Sequence, residues 1–129
     1  MDYLKYKNHK IPAVLAITAD EQQKGLMYEQ NLPPAMAFVY TEPRINKFWM
    51  SRTPQPLDII FCLKNKIVSI CHGKPNSTEL IGGNHLSDLV LEMPFGKSDG
   101  MGMKVGDEIA MEYHPSSLSK ILLSNSINY

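Results

Sequence analysis

Apolar residues recur along the chain in short alternating runs separated by Pro, Gly, Asn and Asp, a pattern of strands closed by turns rather than of long helices. The runs predict strands over Ile11 to Ile17, Met36 to Tyr40, Lys47 to Met50, Leu57 to Leu63, Ile67 to Cys71, Leu89 to Met93 and Glu108 to Tyr113. One helix is signalled by Thr18-Ala19-Asp20-Glu21, a capping box in which the Thr18 hydroxyl accepts from the Glu21 amide while the Glu21 carboxylate reaches back. Gly25 is placed to end it, and Leu26 and Met27 would then dock on the sheet. A second helix is predicted from Ser116 or Ser117, where Leu118, Ile121 and Leu122 follow i, i+3, i+4 spacing; it is too short to stand without packing. The fold class is therefore mostly β, bordering on α+β: a small antiparallel barrel or sandwich with one short capped helix and a C-terminal helix.

The segments Asp58–Leu63 and Lys66–Cys71 read as a hairpin turning at Lys64-Asn65, which sets Cys62 against Ile67 and Cys71 against Asp58. On that register Leu57, Ile59, Phe61, Val68 and Ile70 share a core face. Asp58, Ile60, Cys62, Ile67, Ser69 and Cys71 share the other, expected to line a half-open cavity or to lie under a loop. The cysteines are then offset by roughly 13 Å along the strand, too far for a disulfide, so both are expected to be reduced.

Composition narrows the function classes. The chain has 129 residues, the usual size of one domain, so residues 1–129 are expected to form a single domain with a tail over 114–129. Thirteen Lys+Arg balance 13 Asp+Glu and 20% of residues are charged, so no uniform field favours general nucleic-acid binding. A hydrophobic fraction of 43% supports a core and excludes whole-chain disorder. The start, Met1-Asp2-Tyr3-Leu4-Lys5, lacks the apolar run of a secretory signal and no stretch is long enough to span a bilayer, which predicts a cytoplasmic protein with no membrane association.

Four blocks in order are similar to the DUF192 (UPF0127) family: Gly25-Leu26-Met27; Asn31-Leu32-Pro33-Pro34 leading to Met36 and Phe38; the run from Phe48 to Phe61 containing Trp49-Met50-Ser51-Arg52-Thr53-Pro54; and Val90-Leu91-Glu92 followed by Gly106-Asp107. The resemblance spans about residues 11–113 and implies a compact, mostly β fold with one short helix. It brings no established reaction. The chain departs from the family in having Ala35 where a glycine is usual before Met36, and in lacking the secretion signal of many bacterial members.

Within the third block, Ser51 to Pro56 form a proline-fixed loop expected to bring Trp49, Arg52, Thr53 and Asp58 to one rim. An indole beside a carboxylate and a guanidinium suits a small polar ligand such as a sugar or nucleoside, since the ring gives a flat apolar surface while the charged groups orient hydroxyls. In the competing structural reading, Asp58 accepts hydrogen bonds from loop amides near Arg52 and Thr53, and Trp49 is core. Glu92 projects away from the face shared by Leu91 and Met93; facing Asp58 across a cavity it would form a carboxylate pair able to do acid/base work. The competing reading, favoured because nothing in the spacing requires a facing pair, is a salt bridge to Arg52, Lys47 or another cation.

Other motifs carry less. His72 cannot activate Cys71, because adjacent strand residues point to opposite faces. The scattered His72, His85 and His114 do not form a ligand motif, so no metal is expected, and the spacing of Gly100, Gly102 and Gly106 is not a dinucleotide fingerprint, so no cofactor is expected. The leading expectation is a non-enzymatic small-ligand binding or accessory domain with a site at Trp49, Arg52, Thr53, Asp58 and Glu92. The alternatives are a structural or interaction protein, such as a viral or host-associated component acting through a strand edge or the 116–129 tail, and a carboxylate-based hydrolase.

Overall fold

A computed structural model describes residues 1–127. Its strands are β1 (Asp2–Tyr6), β2 (His9–Ala16), β3 (Met36–Phe48), β4 (Leu57–Leu63), β5 (Lys66–Gly73), β6 (Ile81–Pro94) and β7 (Ala110–Glu112), and its helices are α1 (Ala19–Lys24), α2 (Lys97–Gly100) and α3 (Pro115–Ile127). The strands form one 7-stranded sheet in the order β5-β4-β6-β3-β2-β1-β7. Pairing is antiparallel except between β2 and β3, where the crossover through α1 is long enough to bring β3 back parallel.

The sheet curls until its ends meet. Lys66 of β5 bridges Glu108, the Ile67 amide donates to the Asp107 carbonyl at 2.9 Å, and the Gly106 amide donates to the Ile67 carbonyl at 2.8 Å. These bonds occupy backbone groups that an open edge would leave exposed. β4 and the inner stretches of β6 (Leu89–Met93) and β3 (Ala37–Phe38) are buried on both faces. One face carries Ile60, Cys62, Leu89, Leu91 and Met93 with Leu4, Tyr6 and Ile109. The other carries Leu57, Ile59, Phe61, Val90 and Phe38, roofed by Leu26 and Met50.

The capping box forms as the sequence predicts, with the Glu21 amide donating to Thr18 Oγ1 at 3.2 Å and the Thr18 amide donating to Glu21 Oε1 at 3.0 Å. These backbone bonds outweigh burial and hold the Glu21 carboxyl down at about 2. Gly25 closes α1 with φ +49°, and its amide donates to the Glu21 carbonyl at 2.9 Å. In α3, Ile121 is buried, while Leu118, Leu122 and Leu123 stay exposed. The last tail residues, Asn128 and Tyr129, lie outside the described residues.

The hairpin turns at Lys64-Asn65, both with positive φ as a two-residue hairpin turn requires. Cys62 does oppose Ile67, but a bulge between Phe61 and Cys62 shifts the rest by one residue, so Asp58 opposes His72 and Ile59 opposes Cys71. The shift moves Ile70 to the Ile60 side and Cys71 to the Ile59 side. Both cysteines are free. The Asp58 face is no half-open cavity: Asp58, Ile60 and Cys62 are each 0% exposed, because that face is the inner core.

Candidate functional site

The Phe38–Ile59–Val90 face of the sheet is only partly roofed by α1 and the residues after it, and a cleft of ≈ 410 Å³ remains between α1 and β3. Glu92 lies in its wall. Along β6, Val90 and Glu92 turn to this side and Leu89, Leu91 and Met93 to the inner core, following the two-residue period of a strand. Gly25 is needed here. A Cβ on it would sit 3.3 Å from Phe38 Cζ and 3.6 Å from Glu92 Oε1, so only a residue without a side chain lets α1 end so close to the carboxyl.

Glu92 is 4% exposed, and among the described residues no hydrogen bond or ion pair reaches its carboxyl. Burial pushes it up to about 8, so it is mostly protonated at neutral pH. Above it lies Tyr40, which burial pushes up to about 12, with Arg44 opposing and Glu92 adding to the shift. The Arg44 guanidinium stacks 4.5 Å over the Tyr40 ring, and its Nε donates to Asn46 Oδ1 at 2.9 Å. Asn46 is itself buried, donating to Ser87 Oγ at 2.7 Å and to the Ser87 carbonyl at 3.1 Å, so β6 fixes the base of Arg44.

Of the residues singled out from sequence, Trp49, Thr53 and Glu92 line this cleft. Trp49 is 49% exposed at its mouth and also lines a shallower groove with Arg52. Arg52 takes a left-handed φ of +56° in the loop, where its carbonyl accepts from the Tyr28 amide at 2.8 Å. Thr53 is a buried brace: its hydroxyl donates to the Ser51 carbonyl at 3.1 Å and its carbonyl accepts from the Asn76 amide at 2.9 Å.

Asp58 lies elsewhere. Its Oδ2 accepts from the Ser98 hydroxyl at 2.7 Å, the Ser98 amide at 2.9 Å and the Gly96 amide at 3.1 Å, while Oδ1 meets His72 Nδ1 at 2.9 Å. Burial would raise this carboxyl, but the bonds from Ser98, His72 and Gly96 outweigh it and hold the group low. Asp58 thus ties β4 to β5 and to the turn before α2. In the ladder of β4 and β6, Asp58 opposes Met93 and Ile59 opposes Glu92, which puts the two carboxyls on opposite faces of the sheet. The facing pair required by the hydrolase reading does not form.

Sequence reasoning missed Lys24, Tyr40 and Arg44 and named Lys47 only as an ion-pair partner for Glu92; all four complete the cleft wall, and among the described residues Glu92 makes no ion pair. The strands expected over Met36 to Tyr40 and Lys47 to Met50 are joined, since β3 runs from Met36 to Phe48 and carries Arg44 back over Tyr40. The Asp58–His72 pairing was hidden by the bulge. Among the described residues no group of three His, Cys, Asp or Glu is placed to hold a metal, and no helix is long and apolar enough to cross a membrane.

Two solved structures share the fold. A crystal structure of a protein of unknown function from Novosphingobium aromaticivorans DSM 12444 is 30% identical, with a TM-score of 0.76 over 84% of this chain and 82% of that one. A "putative transcription regulator" from Sinorhizobium meliloti 1021 is 27% identical, with a TM-score of 0.77 over 85% of this chain and 91% of that one. No curated protein matches the chain. The model of the family described as "Uncharacterized ACR, COG1430" matches residues 3–111, agreeing with the motif blocks read from the sequence, and the chain belongs to that uncharacterised family, DUF192.

Proposed function

We propose that the protein is a non-enzymatic binding domain that takes a small polar ligand, of sugar or nucleoside size, in the cleft between α1 and β3. The carrying observation is Glu92, a carboxyl 4% exposed and without a protein partner at a cleft wall. Among the described residues no fully buried side-chain nitrogen or oxygen lacks a partner, so the Glu92 carboxyl, which has none in the protein, opens onto the cleft, where a ligand can reach it. A volume of ≈ 410 Å³ suits a small molecule, and the half-exposed Trp49 offers a flat surface at the mouth. Glu92 is the only carboxyl among the described residues lining the cleft, which favours binding over paired-carboxylate hydrolysis.

Trp49 is the only tryptophan of the chain, so its emission reports on the cleft mouth. Titrating a panel of nucleosides, sugars and their phosphates should change that emission saturably, with amide shifts in α1 and β3 mapped by NMR. No saturable response across the panel, or shifts confined to other elements, refutes the reading. A second reading, an interaction role through the 116–129 tail, is favoured by Leu118, Leu122 and Leu123, which α3 leaves exposed. Size-exclusion chromatography with and without α3 tests it, and an unchanged monomer with no partner recovered by either form counts against it.

A further inference from the structure

We infer that the ligand of this cleft is an anion, a phosphorylated or carboxylated small molecule held by Arg44, Lys47 and Lys24 along the wall and by Glu92 donating a hydrogen bond from its carboxyl. The inference rests on the binding reading above and narrows the ligand class.

The charge balance of the cleft differs from that of the chain. Overall, 13 cations meet 13 acids. The cleft is lined by Lys24 from α1, Arg44 and Lys47 from β3, and one acid, Glu92 from β6. None of the cations is neutralised: the ion pairs among the described residues are Lys10–Glu112, His72–Asp58 and Lys120–Glu21. Arg44 spends its Nε on Asn46, and its terminal nitrogens have no protein acceptor among the described residues. A guanidinium anchored through Nε presents the rest of its fork to a carboxylate or phosphate.

Glu92 does not set the sign of the cleft, where three cations outnumber it, but it does set how an anion's affinity depends on pH. Ionised, it would repel an anion; protonated, it is a hydrogen-bond donor that an anion accepts from. Burial pushes it up to about 8, so the protonated form dominates at neutral pH, and the three cations keep the cleft net positive in either form. Of the other groups facing the cleft, Tyr40 is pushed up to about 12 and stays neutral, and the remaining charged side chains are Lys24, Arg44 and Lys47. No histidine lines it. A cationic ligand would meet three like charges and an acid that must first lose its proton.

The test is calorimetric titration of the full chain with adenosine monophosphate against adenosine, and ribose phosphate against ribose, at pH 7 and pH 9. The phosphates should bind about 10-fold or more tighter than their parents at pH 7, as charge-assisted contacts imply. Their affinity should fall about 10-fold by pH 9 as Glu92 ionises, the phosphate charge being nearly constant there. Glu92→Gln, which cannot ionise, should remove the fall in affinity between pH 7 and pH 9, and Lys47→Gln should narrow the difference between the phosphates and their parents. Parents binding as tightly as phosphates, or affinity rising with pH, overturns the anion inference while leaving the cleft a binding site. No binding by any of the four compounds removes the binding reading and this inference together.

Discussion

Replacing Asp58 by Ala removes the acceptor of four donors at once, and their surroundings set the cost. His72 is exposed at its ring, with side-chain exposure of 56%, and can bond water instead. Gly96 is also at the surface. Ser98 is not: it is 2% exposed, so its amide and hydroxyl would both be stranded in the core. Two unsatisfied buried donors at roughly 1–3 kcal/mol each, with the loss of charge-assisted bonds, give about 3–5 kcal/mol. Asp58→Asn can keep its carbonyl oxygen on Ser98 and Gly96 and turn its amide to His72 Nδ1, so it should cost only about 1–2 kcal/mol. In urea unfolding, a slope of about 2 kcal/mol per M turns these costs into midpoint drops of about 2 M for Ala and about 0.5–1 M for Asn. The hydrogen bonds hold Asp58 below its ordinary 3.8, so its stabilisation is complete above that value and is lost as pH falls through the lower folded value. Both variants should therefore flatten the acid side of the stability curve. An Ala variant within about 0.5 kcal/mol of wild type would refute the clamp. An Asn variant that folds normally but no longer binds in the cleft would return Asp58 to the site.

Glu92 has the opposite sign: burial raises it from 4.5 to about 8, so the fold favours the neutral form, and stability is full below the unfolded value and declines as pH rises toward 8. Glu92→Gln should abolish that slope and be a few kcal/mol more stable than wild type at pH 9; parallel curves for the two proteins from pH 5 to 9 would contradict it. Gly25→Ala puts a Cβ at φ +49° and 3.3 Å from Phe38 Cζ, and should cost about 1–3 kcal/mol in thermal unfolding, whereas Gly100→Ala, with nothing within 4 Å, should be neutral or slightly stabilising. In the native state a thiol reagent should label Cys71 but not Cys62, which is 0% exposed and pushed up to about 12 by burial; rapid labelling of both would show that the inner core opens.

What the sequence revealed was local chemistry. The capping box at Thr18, the stop at Gly25 and the turn at Lys64-Asn65 are each decided within a few residues, and each forms as read. What it hid was set by pairing. The outer half of β6 has little strand propensity at Gly82, Gly83, Asn84 and His85, and it is held extended because β3 pairs with Ile81 and Gly82 on one side of an irregularity and with Leu86 and Ser87 on the other. β1, with Asp2 and Lys5, is a strand because β2 and β7 flank it. The hairpin bulge has no residue signature, yet it alone exchanged Cys71 for His72 as the partner of Asp58. Trp49, Thr53 and Glu92 were legible as a group through one motif and one strand, while Arg44 and Lys47 needed the unbroken course of β3.

The two buried acids acquire different roles from one residue of register. Asp58 and Glu92 lie on neighbouring strands, and had they been directly opposed they would have shared a face and competed for one proton. Offset by one, Asp58 turns to the side where Ser98, Gly96 and His72 saturate its oxygens, and Glu92 turns beneath α1, where no protein donor meets it. A saturated carboxylate can stabilise the fold but has no capacity left for a ligand; an open one weakens the fold above its own titration and retains all its capacity. That asymmetry is why the proposed recognition is assigned to Glu92 and not to Asp58, although Asp58 stands in the most distinctive motif of the chain.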